Sequence, residues 1–238
     1  MCLIVFSWKL LPQCPLLLAA NRDEFLDRPT QAADWWQDHP DVYAGRDLKA
    51  GGTWLGIDRN ARFAALTNIR NGHAPKQDKR SRGELVANFL KQDIDPAAYL
   101  ELVRETGSEY NGFNLVFGDA NAMYWISNED KASFRQLEPG IYGLSNGSLD
   151  TPWPKVVRAK AQFASLMCVG APDDAYFEML ADTTRAADSR LPDTGMSLEW
   201  ERLLSQICIE SETYGTRASA IVRVFDGGKA ELKERAIR

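Results

Sequence analysis

Leu16-Leu17-Leu18-Ala19-Ala20 runs directly into Asn21-Arg22-Asp23-Glu24, an unbroken apolar stretch followed by four polar residues. An apolar run of this length, flanked by turn formers, reads as a buried strand that ends at the polar tetrapeptide. Leu3-Ile4-Val5-Phe6 reads as a second buried strand, and Pro12 and Pro15 confine the link between the two to a turn.

Outward from this pair, the chain falls into blocks. Thr53-Trp54-Leu55-Gly56-Ile57 and Phe63-Ala64-Ala65-Leu66-Thr67 flank Asp58-Arg59-Asn60-Ala61 in a hairpin pattern. Two helices follow. Ser81 and Glu84 have the spacing of a capping box, ahead of Leu85, Val86, Phe89 and Leu90 at helical spacing. Asp95 caps the second helix, with Pro96 at its first position and Gly107 at its end. Strand patterns return at residues 114–117, 123–127 and 141–145. Helical ones follow from Pro154 to Phe163, at 173–180 and at 198–207. The end reads as a hairpin, 219–225 and 229–235, around Asp226-Gly227-Gly228. Strand and helix blocks segregated in this way predict an α+β fold with antiparallel sheets, stacked as a four-layer αββα sandwich. Internal repeats and linkers are absent, so residues 1–238 read as a single domain.

Composition excludes some functions. The formal net charge of −5 argues against unspecific nucleic-acid binding. The apolar runs are too short to span a bilayer, and no signal sequence opens the chain, so a cytoplasmic location is expected. Cys2, Cys14, Cys168 and Cys208 follow neither a disulfide framework nor a CxxC metal spacing, and reduced thiols are expected. His39 and His73 have no metal-like partners, so no fixed metal or cofactor site is expected. Cys14-Pro15 reads as part of a hairpin turn. The pair Trp35-Trp36 reads as core. Lys76, Lys79, Arg80 and Arg82 read either as a solvated loop or as cations at a pocket mouth that grip phosphates or propionates.

Asn21-Arg22-Asp23-Glu24 is also the motif that names the NRDE, or Transport and Golgi Organization 2, family, and the chain resembles that family. Further motifs support the resemblance from residue 2 to residue 217: Met1-Cys2, Gly51-Gly52-Thr53-Trp54-Leu55-Gly56, Leu66-Thr67-Asn68-Ile69-Arg70, Gly143-Leu144-Ser145-Asn146 and Tyr214-Gly215-Thr216-Arg217. The family in turn resembles N-terminal-nucleophile hydrolases, in particular the bile-salt and penicillin V amidases. Matched motif by motif, that resemblance implies catalytic roles for Cys2, Arg22, Asp23, Asn68, Asn146 and Arg217. Such chemistry is coherent. A free α-amine takes the proton of the cysteine thiol. A guanidinium favours the thiolate, and amide side chains donate to a developing oxyanion. The α-amine of Cys2 becomes free only when Met1 is removed.

The resemblance also implies a carrier. Relatives have been linked to haem trafficking and to binding of acyl-coenzyme A, which implies a small amphipathic, anionic ligand held reversibly by Asn21, Arg22, Asp23, Glu24, Asn68, Arg70 and Arg217. Transient membrane contact would suit such a role. A carrier with slow or absent amide hydrolysis is the first expectation, and a Cys2-dependent amidohydrolase or thioesterase the alternative.

Overall fold

The computed structural model describes residues 2–129 and 133–237. Strands β1 (Cys2–Leu11) and β2 (Cys14–Phe25) form an antiparallel hairpin in which Cys2 pairs with Arg22. β10 (Gly140–Leu144) adds to the free side of β1, and β11 (Tyr214–Phe225) and β12 (Lys229–Ala236) follow beyond β2, giving the order β10-β1-β2-β11-β12. The second sheet is an antiparallel meander of seven strands: β3 (Thr30–Trp35), β4 (Val42–Asp47), β5 (Leu55–Asp58), β6 (Phe63–Asn68), β7 (Phe113–Gly118), β8 (Met123–Ser127) and β9 (Phe134–Gln136).

The apolar residues sort these elements into layers. Ile4, Phe6, Leu16, Leu18, Ala220 and Val222 of the first sheet meet Leu55, Ile57, Phe63, Ala65 and Val116 of the second, forming a core between the sheets. Leu3, Val5, Leu17, Ala19 and Ile221 point the other way, under helices α3 (Pro154–Cys168) and α4 (Asp173–Leu180). Ala64, Leu115 and Phe117 face α1 (Gly83–Lys91) and α2 (Pro96–Thr106). A fifth helix, α5 (Leu198–Leu204), packs Leu204 beside Ile209 and Tyr214. The result is the αββα sandwich expected from the block order. It also explains why β1 and β2 read as continuous apolar runs: both their faces are covered, so the alternation of a half-exposed strand is lost.

Three local expectations need correction, and two strands have no counterpart in the sequence reading. Asn21-Arg22-Asp23-Glu24 lies inside β2, because Asp23 and Glu24 still pair with Thr216 and Gly215 of β11. No capping box forms: residue Arg82 holds the N-cap position of α1 without a side-chain bond, and Glu84 turns instead to Arg80. Strand β3, at the sheet edge, and its neighbour β4 are built largely of small and polar residues, so their sequences lack an apolar period. In the Trp35-Trp36 pair, Trp36 is buried and Trp35 is 40% exposed. Asp95 does cap α2, accepting from the backbone N–H groups of Ala97 and Ala98. Among the described residues no helix is long and apolar enough to cross a membrane.

Candidate functional site

Pairing of β1 with β2 places Cys2 and Arg22 opposite each other at one end of the sandwich. The β2–β11 ladder slips by one residue between Thr216 and Ala218, which makes Arg217 the extra residue of a bulge. Bulging frees the Arg217 side chain, and its guanidinium donates to the Phe25 and Arg28 carbonyls at 3.0 Å each. Asn68 arrives from the far sheet at the last position of β6. Cys2, Arg22, Asp23, Glu24, Asn68 and Arg217 all line one cavity of about 530 Å³.

Loop residues complete its wall. Gly52 packs so closely on Gly83 that an added Cβ would lie 2.5 Å from the Gly83 carbonyl carbon. That contact brings Thr53 and Trp54 beside Arg82, at the start of α1, and all three line the cavity. Lys79 and Arg80 line it too, while Lys76 does not. The lining holds eight Arg or Lys side chains against four Asp or Glu, so the cavity is net cationic in a chain that is net anionic. Several of these cations are neutralised, Arg28 by Asp47 at 2.6 Å and Arg46 by Asp38 at 2.7 Å. Arg22 and Arg82 make no ion pair among the described residues. Arg22 donates to Thr30 Oγ1 at 3.2 Å and Arg82 to the Gly112 carbonyl at 3.0 Å.

Around the thiol, burial dominates. Burial pushes the Cys2 thiol up, the Asp23 charge adds to the rise, and the Asp23 backbone N–H and the Arg22 guanidinium oppose it. Burial likewise raises the Asp23 carboxyl, against the pull of Lys155 and a hydrogen bond from Thr216. Thr216 Oγ1 donates to Asp23 Oδ1 at 2.7 Å.

Three sequence candidates stand away from the cavity wall. Asn21 faces the helices, where its side chain donates to the Leu180 and Ile207 carbonyls at 2.8 and 2.9 Å and accepts from Ser219. As β2 alternates, Asn21 and Arg22 must point to opposite faces. Asn146 lies one layer behind: its Nδ2 donates to the Asn68 carbonyl at 2.8 Å, and the Ser145 hydroxyl is 3.0 Å from the Cys2 carbonyl oxygen. Arg70 turns inward to Glu201 at 3.0 Å and stacks over Trp153. Glu24 has Arg28, at 3.9 Å, as its ion-pair neighbour and not Arg22.

Sequence reading missed Lys155. Its side chain is fully buried, burial pulls its amine down to about 8, and Asp23 is the charge that most opposes this. The available signal was a lysine directly after the helix-opening Pro154, at the positive end of a helix dipole. Neither His39 nor His73 lines the cavity. Among the described residues no cluster of His, Cys, Asp or Glu is placed to hold a metal ion, and all four cysteines are free thiols. Met1, whose removal the nucleophile chemistry requires, lies outside the described residues.

Comparison with solved structures places the same architecture elsewhere. The chain is similar to a Caenorhabditis elegans N-acylethanolamine-hydrolyzing acid amidase ortholog, with TM-score 0.54 and 9% identity over 100% of both chains. It is also similar to the C2A mutant of a conjugated bile acid hydrolase from Clostridium perfringens, with TM-score 0.51 and 8% identity over 100% of this chain and 92% of that one. At such identity the likeness is one of fold, the N-terminal-nucleophile hydrolase type. Sequence relatives are nearer. The Transport and Golgi organization 2 homolog of Mus musculus is 35% identical over 100% of this chain and 93% of that protein. The corresponding Bos taurus protein is 37% identical with the same coverage, and the Drosophila melanogaster protein is 30% identical over 98% of this chain and 91% of its own length. The family model for Transport and Golgi organisation 2 matches residues 1–238, and the chain belongs to that family.

Proposed function

We propose that this protein is a cytoplasmic carrier that binds an amphipathic anion, haem or an acyl-coenzyme A, reversibly in the cavity beside Cys2. The observation that carries this reading is the pairing of two cations that form no ion pair among the described residues, Arg22 and Arg82, with the apolar wall of Trp54 and Leu66 in one cavity. Guanidiniums that donate, among the described residues, to one hydroxyl or one carbonyl keep charge-assisted donors available for a propionate or phosphate. A cavity of about 530 Å³ falls in the range of small-molecule sites. A protein that hands its ligand on needs moderate affinity, and a dissociation constant of order micromolar, about −8 kcal/mol, suits that role.

A second reading is a Cys2-dependent amidohydrolase or thioesterase. It is favoured by the gathering of Cys2, Arg22, Asp23, Asn68 and Arg217 around the same cavity. The fold neighbours named for amide hydrolysis lend it support by analogy only. Against it stands the burial of Cys2, which disfavours the thiolate.

One paired experiment separates the two. Haem and an acyl-coenzyme A are titrated into wild type and Cys2→Ala, and both proteins are assayed for amide and thioester hydrolysis, with the intact mass recording whether Met1 is present. Saturable binding that survives Cys2→Ala supports the carrier. Hydrolysis by the wild type that vanishes in Cys2→Ala, with no saturable binding, replaces it with the enzyme.

A further inference from the structure

The β1–β10 ladder runs only as far as the pair Ile4 and Leu144, so it stops short of Cys2. On that side a side chain takes over from the strand. The Ser145 hydroxyl donates toward the Cys2 carbonyl at 3.0 Å and toward Asn146 Oδ1 at 3.1 Å, with its single proton between two acceptors. The Ser145 carbonyl lies beyond the ladder and accepts instead from Thr67 Oγ1, on β6 of the other sheet. Thr67 immediately precedes Asn68, and the Asn68 carbonyl accepts from Asn146 Nδ2 at 2.8 Å. The bonds continue into the second sheet. Asn114 Nδ2 donates to Thr67 Oγ1 at 3.1 Å and to the Gly147 carbonyl at 2.8 Å, and the Trp125 indole N–H donates to Asn114 Oδ1 at 3.2 Å. Ser145, Asn146, Thr67 and Asn114 are all buried, and none of them lines the cavity.

Apolar contacts already join the sheets in this layer, through Ile4, Leu144, Val116 and their neighbours, so packing alone does not call for a polar cluster. Burying one costs free energy unless its groups are paired. What a satisfied network adds to apolar packing is one fixed arrangement of the groups it joins. We infer, on the reading of this cavity as the binding site, that Ser145 is a positioning residue: a clamp that ties the Cys2 wall of the cavity to the Asn68 wall, one from each sheet, and holds the thiol in its buried place. Access to a thiol is measurable without ligand or turnover, so the clamp stands or falls separately from both the carrier and the enzyme.

The test is the rate of iodoacetamide alkylation of Cys2 at fixed pH, resolved by peptide mass spectrometry, with the exposed Cys168 as internal reference. Ser145→Ala removes the hydroxyl, and Cys2 is expected to alkylate about tenfold faster, the opening that one lost hydrogen bond allows. Thr67 makes no hydrogen bond to Cys2 among the described residues and does not line the cavity. Thr67→Val keeps the side-chain shape, yet it is expected to speed alkylation at least about twofold by unpinning Ser145. Added to Ser145→Ala, the same change is expected to alter the rate less than about twofold, because the link to Cys2 is already gone. Tyr99→Phe removes a buried bond to the Leu85 carbonyl in an outer helix layer, and this control for general destabilisation is expected to leave the rate unchanged. The clamp is overturned by no acceleration in Ser145→Ala or in Thr67→Val, by equal acceleration from Thr67→Val with and without the Ser145 hydroxyl, or by a Tyr99→Phe effect that matches Ser145→Ala. If the variants at position 67 do not fold, Ser145→Ala and Tyr99→Phe decide alone: the first must accelerate alkylation and the second must not.

Discussion

Thr216 and Asp23, 193 residues apart in sequence, are joined by a 2.7 Å hydrogen bond from the threonine hydroxyl to Asp23 Oδ1. The same hydroxyl accepts from the backbone N–H of Ile209 at 2.8 Å, and the Thr216 N–H donates to the Ile209 carbonyl. One side chain thus ties the central strand pair, the chain leaving α5 and the carboxylate beside Cys2 into a single network. It sits one residue before the bulge that delivers Arg217 to the cavity.

Thr216→Val keeps the shape but removes both bonds, leaving Asp23 Oδ1 and the Ile209 N–H short of a partner. We expect a loss of about 1–3 kcal/mol in urea unfolding. Faster Cys2 alkylation is also expected, because an Asp23 with one donor fewer protonates more readily. An unchanged urea midpoint would refute the network.

Lys155 gives stability a pH dependence with a definite sign. Its folded-state midpoint is about 8 against an ordinary 10.5, so between those values the unfolded chain binds the extra proton. Stability therefore rises as pH climbs through that window, by an amount on the order of 3 kcal/mol at most. Below pH 8 the cost of burying the charge is fully present. Denaturant unfolding at pH 7.5 and pH 10 should show wild type gaining on Lys155→Met, and parallel changes in the two proteins would contradict the lowered midpoint.

Asn21, although it stands first in the motif, is expected to be a stability residue. Asn21→Ala strands the Leu180 and Ile207 carbonyls and the Ser219 hydroxyl in a sealed layer. A cost of roughly 2–3 kcal/mol follows, with ligand affinity of the folded fraction unchanged. Weakened haem or acyl-coenzyme A binding without a stability change would assign it to the site instead.

The cavity arginines are expected to behave in the opposite way. Arg22→Ala, Arg82→Ala and Arg217→Ala each remove a charge-assisted contact and should weaken haem binding by about 1.5–3 kcal/mol. Arg217→Ala should also lower stability, since its guanidinium ties the Phe25 and Arg28 carbonyls. Isothermal titration against the three variants tests this, and undiminished affinity in all of them would remove the anion from the proposal.

Gly52→Ala forces a Cβ into the Gly83 backbone, where no flexible atom can give way. The loop must shift, carrying Thr53 and Trp54 away from Arg82. Both a lower unfolding midpoint and weaker ligand binding are expected, and an alanine variant normal in both would show that the contact relaxes freely.

The sequence by itself determined the layers. Continuous apolar runs at residues 3–6 and 16–20, an N-capped helix at Asp95 and the segregated order of strands and helices are local signals, and local signals survive without a fold. It also marked Cys2, Arg22, Asp23, Asn68 and Arg217 through motifs, although these say nothing of which face a side chain takes. Only the tertiary structure decided that. Strand alternation turned Asn21 away from the cavity while Arg22 turned in, and a one-residue bulge released Arg217. Pairing with Glu201 withdrew Arg70. Strands β3 and β4 were illegible because their short sequences, Thr30–Trp35 and Val42–Asp47, mix small and polar residues with few apolar ones and so carry no apolar period to read. Lys155 was illegible for a different reason: a lysine near a helix start looks like solvated surface until packing shows that it is buried.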